Sequence, residues 1–152
     1  MKTLALAFMC LVSLAASAQQ LNDKGLYVNS EGDLFSGVIT SHVNGNKSDI
    51  TVKEGVVSGE ATYYYASGNV MEKGIYTQGK KDQKWTRFNE NGTVAAVAFY
   101  SLGNKSGTWM VYDEQGKKRF EMNYDNGQKT GVWTSWDENG AIASTKDYSK
   151  VN

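Results

Sequence analysis

GTWMVYDEQG, at Gly107–Gly116, is written again as GVWTSWDENG at Gly131–Gly140, a step of 24 residues. Self-similarity at a fixed period marks a repeat architecture, in which one supersecondary unit is copied and stacked. Aligned on Trp109, Tyr112 lies three residues on, Gly116 seven on and Tyr124 fifteen on. Trp133 has Trp136, Gly140 and Tyr148 at the same offsets, and Trp85 has Phe88, Gly92 and Tyr100. One step earlier Ala61 replaces the tryptophan, while Tyr64, Gly68 and Tyr76 keep the register.

The connectors repeat as well: GVVSG (Gly55–Gly59), GKKDQ (Gly79–Gln83), GNKSG (Gly103–Gly107) and GQKTG (Gly127–Gly131), with Gln83 alone breaking the second glycine. A fainter unit, Gly37–Gly55, fits if one residue is deleted near Val43. The expected organisation is a leader over 1–18, an irregular N-terminal cap over 19–36, and a repeat domain over 37–152. The repeat domain divides into a degenerate unit at 37–58, then units at 59–82, 83–106, 107–130 and 131–152.

Each unit reads as a β-hairpin. The ENG stretches at Glu90–Gly92 and Glu138–Gly140 are turn signals in which glycine supplies positive φ. Flanking runs such as WMVY and KRFEMNY are rich in the residues that suit a pleated surface. Phe120, Met122 and Tyr124 alternate onto one face, and Val94, Ala96, Ala98 and Tyr100 are expected to do the same. No window shows helical periodicity. The fold class is therefore all-β: tandem 24-residue hairpins in one elongated, twisted antiparallel meander sheet. Stacking sets Trp85, Trp109 and Trp133 in a row, with Tyr76, Tyr100, Tyr124 and Tyr148 in another, so each unit shields its neighbour. Phe88, Tyr112 and Trp136 have the opposite parity to their tryptophans. Either a bulge corrects their facing or both faces carry aromatics.

Sixteen glycines, nine tyrosines, four tryptophans and no proline fit this picture, since every backbone N–H is free to join a ladder. Met1-Lys2-Thr3, the apolar run LALAFMCLVSLAA and the small-x-small ASA at Ala16–Ala18 form a secretory signal peptide pattern, with cleavage expected after Ala18. That places the mature chain in the periplasm or outside the cell, with no membrane-spanning segment left. Cleavage leaves 134 residues with fifteen basic and sixteen acidic side chains, which gives no electrostatic case for nucleic acid. The single cysteine, Cys10, lies inside the leader, so disulfides and thiolate chemistry are not expected.

Tyr124–Gly140, YDNGQKTGVWTSWDENG, resembles the MORN-repeat variant found in the YwqK-like antitoxin-repeat family. The pattern is aromatic-x-x-Gly-x-x-x-Gly-x-Trp-x-x-aromatic-x-x-x-Gly, and the resemblance runs from about Gly37 to Tyr148, departing at Ala61, at Gln83 and in the degenerate unit. It implies a hairpin-repeat fold without a catalytic centre, contacts with another protein or with lipid headgroups or membranes, and, through the family's name, an immunity or antitoxin role.

The residues show no catalytic constellation. His42, the sole histidine, falls where other units place an aromatic. Asp113/Glu114 and Asp137/Glu138 recur with the unit, as solvated turn residues do, and lack the alternating ligands of a calcium loop. No metal and no cofactor is expected. In a meander the turns carrying Glu90, Asp113, Glu114, Asp137 and Glu138 lie along one edge. The connectors carrying Lys80, Lys81, Lys105 and Lys129 lie along the other, with Asp82 the exception. The four lysines form a candidate binding rim for a protein, a lipid headgroup or a glycan, and the turn glycines Gly68, Gly92, Gly116 and Gly140 shape the opposite edge. The function expected is that of an exported, non-catalytic interaction or structural module.

Overall fold

The computed structural model describes residues 19–149; the expected leader and residues 150–152 lie outside them. Among the described residues there are thirteen strands and no helix. In chain order they are β1 (Gln20–Leu21), β2 (Tyr27–Val28), β3 (Gly37–Val43), β4 (Asn46–Lys53), β5 (Val56–Tyr64), β6 (Val70–Thr77), β7 (Lys80–Phe88), β8 (Val94–Ser101), β9 (Asn104–Lys105), β10 (Gly107–Tyr112), β11 (Lys118–Asp125), β12 (Gln128–Trp136) and β13 (Ile142–Asp147). All from β3 onward form one antiparallel sheet whose spatial order follows the sequence, with β9 and β10 sharing one path beside β8. The fold is all-β: a long, open meander of successive hairpins.

The two edges of the sheet use different turns. Along one, the chain reverses in two residues, at Glu54-Gly55, Gln78-Gly79, Leu102-Gly103 and Asn126-Gly127, each pair with positive φ at both positions. That geometry matches the twist of the flanking strands, and the first glycine of each connector is its second residue. The connector lysines consequently sit in strands rather than in turns. Along the other edge the reversals span five residues, as at Asn89–Thr93, where Asn89 N donates to Thr93 O and Gly92 N to Asn89 O. Asp113 Oδ1 accepts from the backbone N–H groups of Gln115 and Lys117, and Asp137 Oδ1 does the same for Asn139 and Ala141.

Both edges are stitched from unit to unit. Gly79 N donates to Val57 O, Gly103 N to Lys81 O and Gly127 N to Lys105 O, each at 2.7 Å. On the other edge Asn69 Nδ2, Thr93 Oγ1 and Lys117 Nζ reach the carbonyls of Glu90, Glu114 and Glu138 in the next turn.

Each unit also contains a register break of two residues. Gln83–Trp85 stand opposite the single Gly74, Gly131–Trp133 opposite Met122, and Ser106–Trp109 opposite Ala98 and Phe99. Such a break disrupts the ladder locally, and the tryptophan inside it donates its indole N–H to the carbonyl beside it. Trp85 Nε1 bonds Ile75 O at 3.0 Å, Trp109 Nε1 bonds Phe99 O at 2.9 Å and Trp133 Nε1 bonds Asn123 O at 3.0 Å. The turn into the break needs positive φ. Gly107 and Gly131 supply it, and Gln83 adopts φ 57° in their place.

The parity question resolves in favour of two aromatic faces. Residues directly opposite in an antiparallel pair share a face. Trp85 lies opposite Ala98 and Phe88 opposite Val94, so they project from opposite sides, as do Tyr112 and Trp136 relative to their tryptophans. Val94 therefore does not share a face with Ala96, Ala98 and Tyr100: the extra residue Ala95 shifts the register between Arg87 and Phe88.

The N-terminal cap is more regular than expected. Asn22–Leu26 and Asn29–Asp33 repeat the five-residue turn, Asn22 Oδ1 and Asn29 Oδ1 each accepting two backbone N–H groups. The cap then bonds the first unit through Tyr27 N to Gly55 O and Gly55 N to Phe35 O. Instead of a five-residue reversal, the degenerate unit turns tightly at Asn44-Gly45, which accounts for the missing residue near Val43.

Burial is deepest around Trp85, which is 1 % exposed, together with Val52 and Ala61. The indole lies against Gly74, where a Cβ would stand inside the ring. The equivalent positions of the next units are Ala98 and Met122, and Trp109 and Trp133 are only half-buried. Trp85→Ala should therefore cost about 3–5 kcal/mol and Trp109→Ala clearly less, read from urea unfolding by circular dichroism; equal losses would contradict this packing. Gln83→Gly should stabilise by up to ~1 kcal/mol, the left-handed strain relieved outweighing glycine's added chain entropy, and a loss of stability in the same assay would contradict it.

Candidate functional site

The face bearing the tryptophans carries mixed tyrosine–tryptophan stacks rather than two rows: one at Tyr76 and Trp85, one from Tyr100 to Tyr148, with the Lys81 ammonium between Trp85 and Tyr100. The ring centroids of Tyr76 and Trp85 are 5.0 Å apart, Tyr100 and Trp109 5.1 Å, Trp109 and Tyr124 5.3 Å, Tyr124 and Trp133 5.2 Å, and Trp133 and Tyr148 4.8 Å. Tyrosine and tryptophan alternate because the register pairs put each tyrosine next to the break that holds the following tryptophan. The tilted and edge-on geometries are those that aromatic quadrupoles favour. Tyr63 joins the first stack, its hydroxyl 3.1 Å from that of Tyr76. Burial first, and the Tyr76 hydroxyl second, push the Tyr63 phenol well above its ordinary range, and burial raises Tyr100 as well.

Three of the four rim lysines belong to these stacks. Lys81, Lys105 and Lys129 lie opposite Tyr76, Tyr100 and Tyr124. Their ammonium groups stand over the following tryptophans at 3.8, 4.4 and 4.5 Å from the ring centroids. Each also reaches the next tyrosine: Tyr100 at 5.6 Å, Tyr124 at 4.9 Å and Tyr148 at 5.1 Å. A cation over a ring face is worth about 0.5–1 kcal/mol where solvent reaches it. Lys80 is the exception, exposed beside the Gly103 turn. Sequence reading found the lysines but placed them on a rim; their cross-strand partners put them on the aromatic face.

Their charges are treated unequally. Lys81 Nζ is 3.1 Å from both carboxylate oxygens of Glu72. One unit on, Ala96 occupies the place of Glu72, and then Phe120. Among the described residues neither Lys105 nor Lys129 has a carboxylate within ion-pair distance. Lys146, opposite Trp133, adds a cation 5.0 Å from the Tyr148 ring.

The opposite face has a sparser row. Lys47 covers Tyr64 at 4.9 Å, Lys73 covers Phe88 at 5.7 Å and Lys118 covers Trp136 at 5.3 Å, while the Tyr112 hydroxyl reaches Met110 Sδ. The turn edge is not uniformly acidic, because Arg119 Nη1 lies 3.7 Å from Asp113 Oδ2 and Lys117 caps the Glu138 carbonyl. Gly68, Gly92, Gly116 and Gly140 close its five-residue turns. His42 is exposed on β3 opposite Lys47. An open depression on the second face is lined by Glu60, Thr62, Lys73, Lys84 and Thr86 among others. Among the described residues no group of three His, Cys, Asp or Glu could hold a metal ion.

Asp82 has a structural reason to interrupt the lysines. Its Oδ1 accepts from Leu102 N in the next unit's tight turn, and its Oδ2 accepts from Thr77 Oγ1. Those bonds, the Leu102 amide first, hold its carboxyl below the usual range.

Residues 58–78, 105–126 and 129–150 match the family described as MORN repeat variant. Repeats of this kind are generally non-enzymatic modules that bind proteins or membranes. The segment between the first two matches contains Gln83, the non-glycine at the register break. No curated protein matches the chain.

Because a lowered carboxylate pKa adds stability above the unfolded-state value and loses it as pH falls through the folded one, the Asp82 staple should weaken in acid. Carbon-detected NMR titration should place Asp82 below a model aspartate, and Asp82→Asn should flatten part of the stability loss below about pH 4. An Asp82 titrating like the model compound would contradict the staple.

Proposed function

We propose that the protein is an exported, non-catalytic repeat module that holds another protein against its open sheet. The observation that carries this reading is the uneven burial of one repeated motif. The same tryptophan, in the same break with the same indole bond, is buried at Trp85 and half-open at Trp109 and Trp133. On the same face, beside these two rings, Phe120 is 48 % exposed. An exposed apolar side chain beside half-open aromatic rings on one face of a repeat array is what an interaction site presents. The leader pattern at residues 1–18 supports export, and the matched family supports binding without catalysis.

Affinity capture from the native envelope fraction, with mass spectrometry, tests the reading. A discrete protein partner should come down with the wild type and be lost when Trp133 and Phe120 are replaced by serine in a chain that keeps its circular dichroism. If that partner is a toxin whose activity the module blocks, the role is the immunity-like one. Binding only to anionic liposomes or to a glycan array, with no protein captured, would contradict the proposal.

A further inference from the structure

We infer that the column from Trp109 to Tyr148 binds an extended acidic peptide in polyproline II conformation, laid across the strands, with carboxylates every third residue. The inference rests on the interaction-module reading and names the chemistry of the partner.

The aromatic face contains its own template. Glu72 shows what a carboxylate does at this position: it meets Lys81 through both oxygens while the ammonium stays over the Trp85 ring. The next two stations repeat the ring and the lysine but replace the carboxylate by Ala96 and Phe120. Lys105 and Lys129 thus present the half of an ion pair that Lys81 has completed. Lys146 extends the positive strip past Tyr148.

The lysine spacing selects the peptide's conformation. Lys105 and Lys129 occupy corresponding positions two strands apart, because β11 lies between their paths. Two inter-strand steps measure about 9.5 Å. A polyproline II helix turns once every three residues and advances about 9.3 Å in doing so, so carboxylates at i and i+3 fall on successive lysines. A β-strand repeats its facing side chains at about 6.6 Å, and an α-helix returns to the same line after seven residues at about 10.5 Å; both fit worse.

The lining suits the same conformation. The indole N–H groups of Trp109 and Trp133 are spent on Phe99 O and Asn123 O, which leaves the half-exposed rings and the ammonium groups capping them as the recognition surface. Aromatic-lined tracks are what pyrrolidine rings dock on, and a preformed polyproline helix loses little entropy in docking.

The test titrates the purified protein with a synthetic nine-residue peptide of three Glu-Pro-Pro triplets, following tryptophan fluorescence and calorimetry. Two controls accompany it: a peptide of matched charge with glutamates at every fourth position, and a hexauronate oligosaccharide. The triplet peptide should bind at least tenfold tighter than the respaced one. Lys105→Gln with Lys129→Gln should weaken it at least tenfold, while Lys80→Gln should leave it unchanged. Ala96→Glu, which restores the internal carboxylate to Lys105, should also weaken it, and this variant keeps the test valid if the double lysine variant is unstable. Equal binding of both peptides, preference for the oligosaccharide, or indifference to Ala96→Glu would overturn the inference. A partner captured from the envelope equally well by the double lysine variant would overturn it too, while leaving the interaction-module reading intact.

Discussion

One hydrogen bond recurs at the centre of each well-formed unit: an indole N–H donating to a backbone carbonyl ten residues earlier, where the sheet changes register. A two-residue break is a cost in an antiparallel ladder, because backbone groups beside it lose their regular partners. Here the break carries its own remedy, since the tryptophan it contains reaches back to the carbonyl next to it. The same bond fixes the ring orientation, and fixed rings at one per unit make the alternating column of tyrosine and tryptophan. A tyrosine in that position would have its hydroxyl at the far end of the ring, and a phenylalanine would offer no donor at all.

A single-layer sheet has no second layer to hide its apolar side chains, so the units must cover one another along the column and at both edges. The turn-to-turn bonds and the lysine caps supply that cover with periodic regularity. Cover is complete around Trp85, where Gly74 lets the ring settle onto the backbone and Glu72 neutralises the lysine. It thins toward β13, where a larger side chain stands in the place of Gly74 and no carboxylate answers the lysine. The gradient is therefore written in two columns of the repeat, Gly74-Ala98-Met122 and Glu72-Ala96-Phe120, and it points recognition toward the C-terminal units.

Much of the architecture was legible in the 24-residue period alone. Hairpins and meander order follow from offsets that survive even where Ala61 replaces tryptophan, but those offsets set tryptophans and tyrosines in separate rows, whereas the register stacks one on the other. The register breaks were silent, because every copy carries the same extra residues and the spacing stays intact. Three of the tight turns were hidden because Glu54, Gln78 and Leu102 precede their glycines, and none is a usual residue for that turn, while Asn44-Gly45 and Asn126-Gly127 carry the ordinary signal. In the cap, by contrast, a signal was present, since Asn22 and Asn29 each stand three residues before a glycine, as Asn89, Asp113 and Asp137 do. The lysines were visible as recurring charges, but their place over the rings depends on cross-strand partners that only the register reveals.

Hydrogen–deuterium exchange at the four indole N–H groups, resolved by proton–nitrogen NMR, addresses the recurring bond most directly. The account predicts that Trp85, Trp109 and Trp133 exchange slowly, Trp85 slowest, while Trp136, whose ring lies on the other face under Lys118, exchanges at close to the free rate. Four indoles exchanging alike, or fast exchange at Trp109 and Trp133, would contradict it.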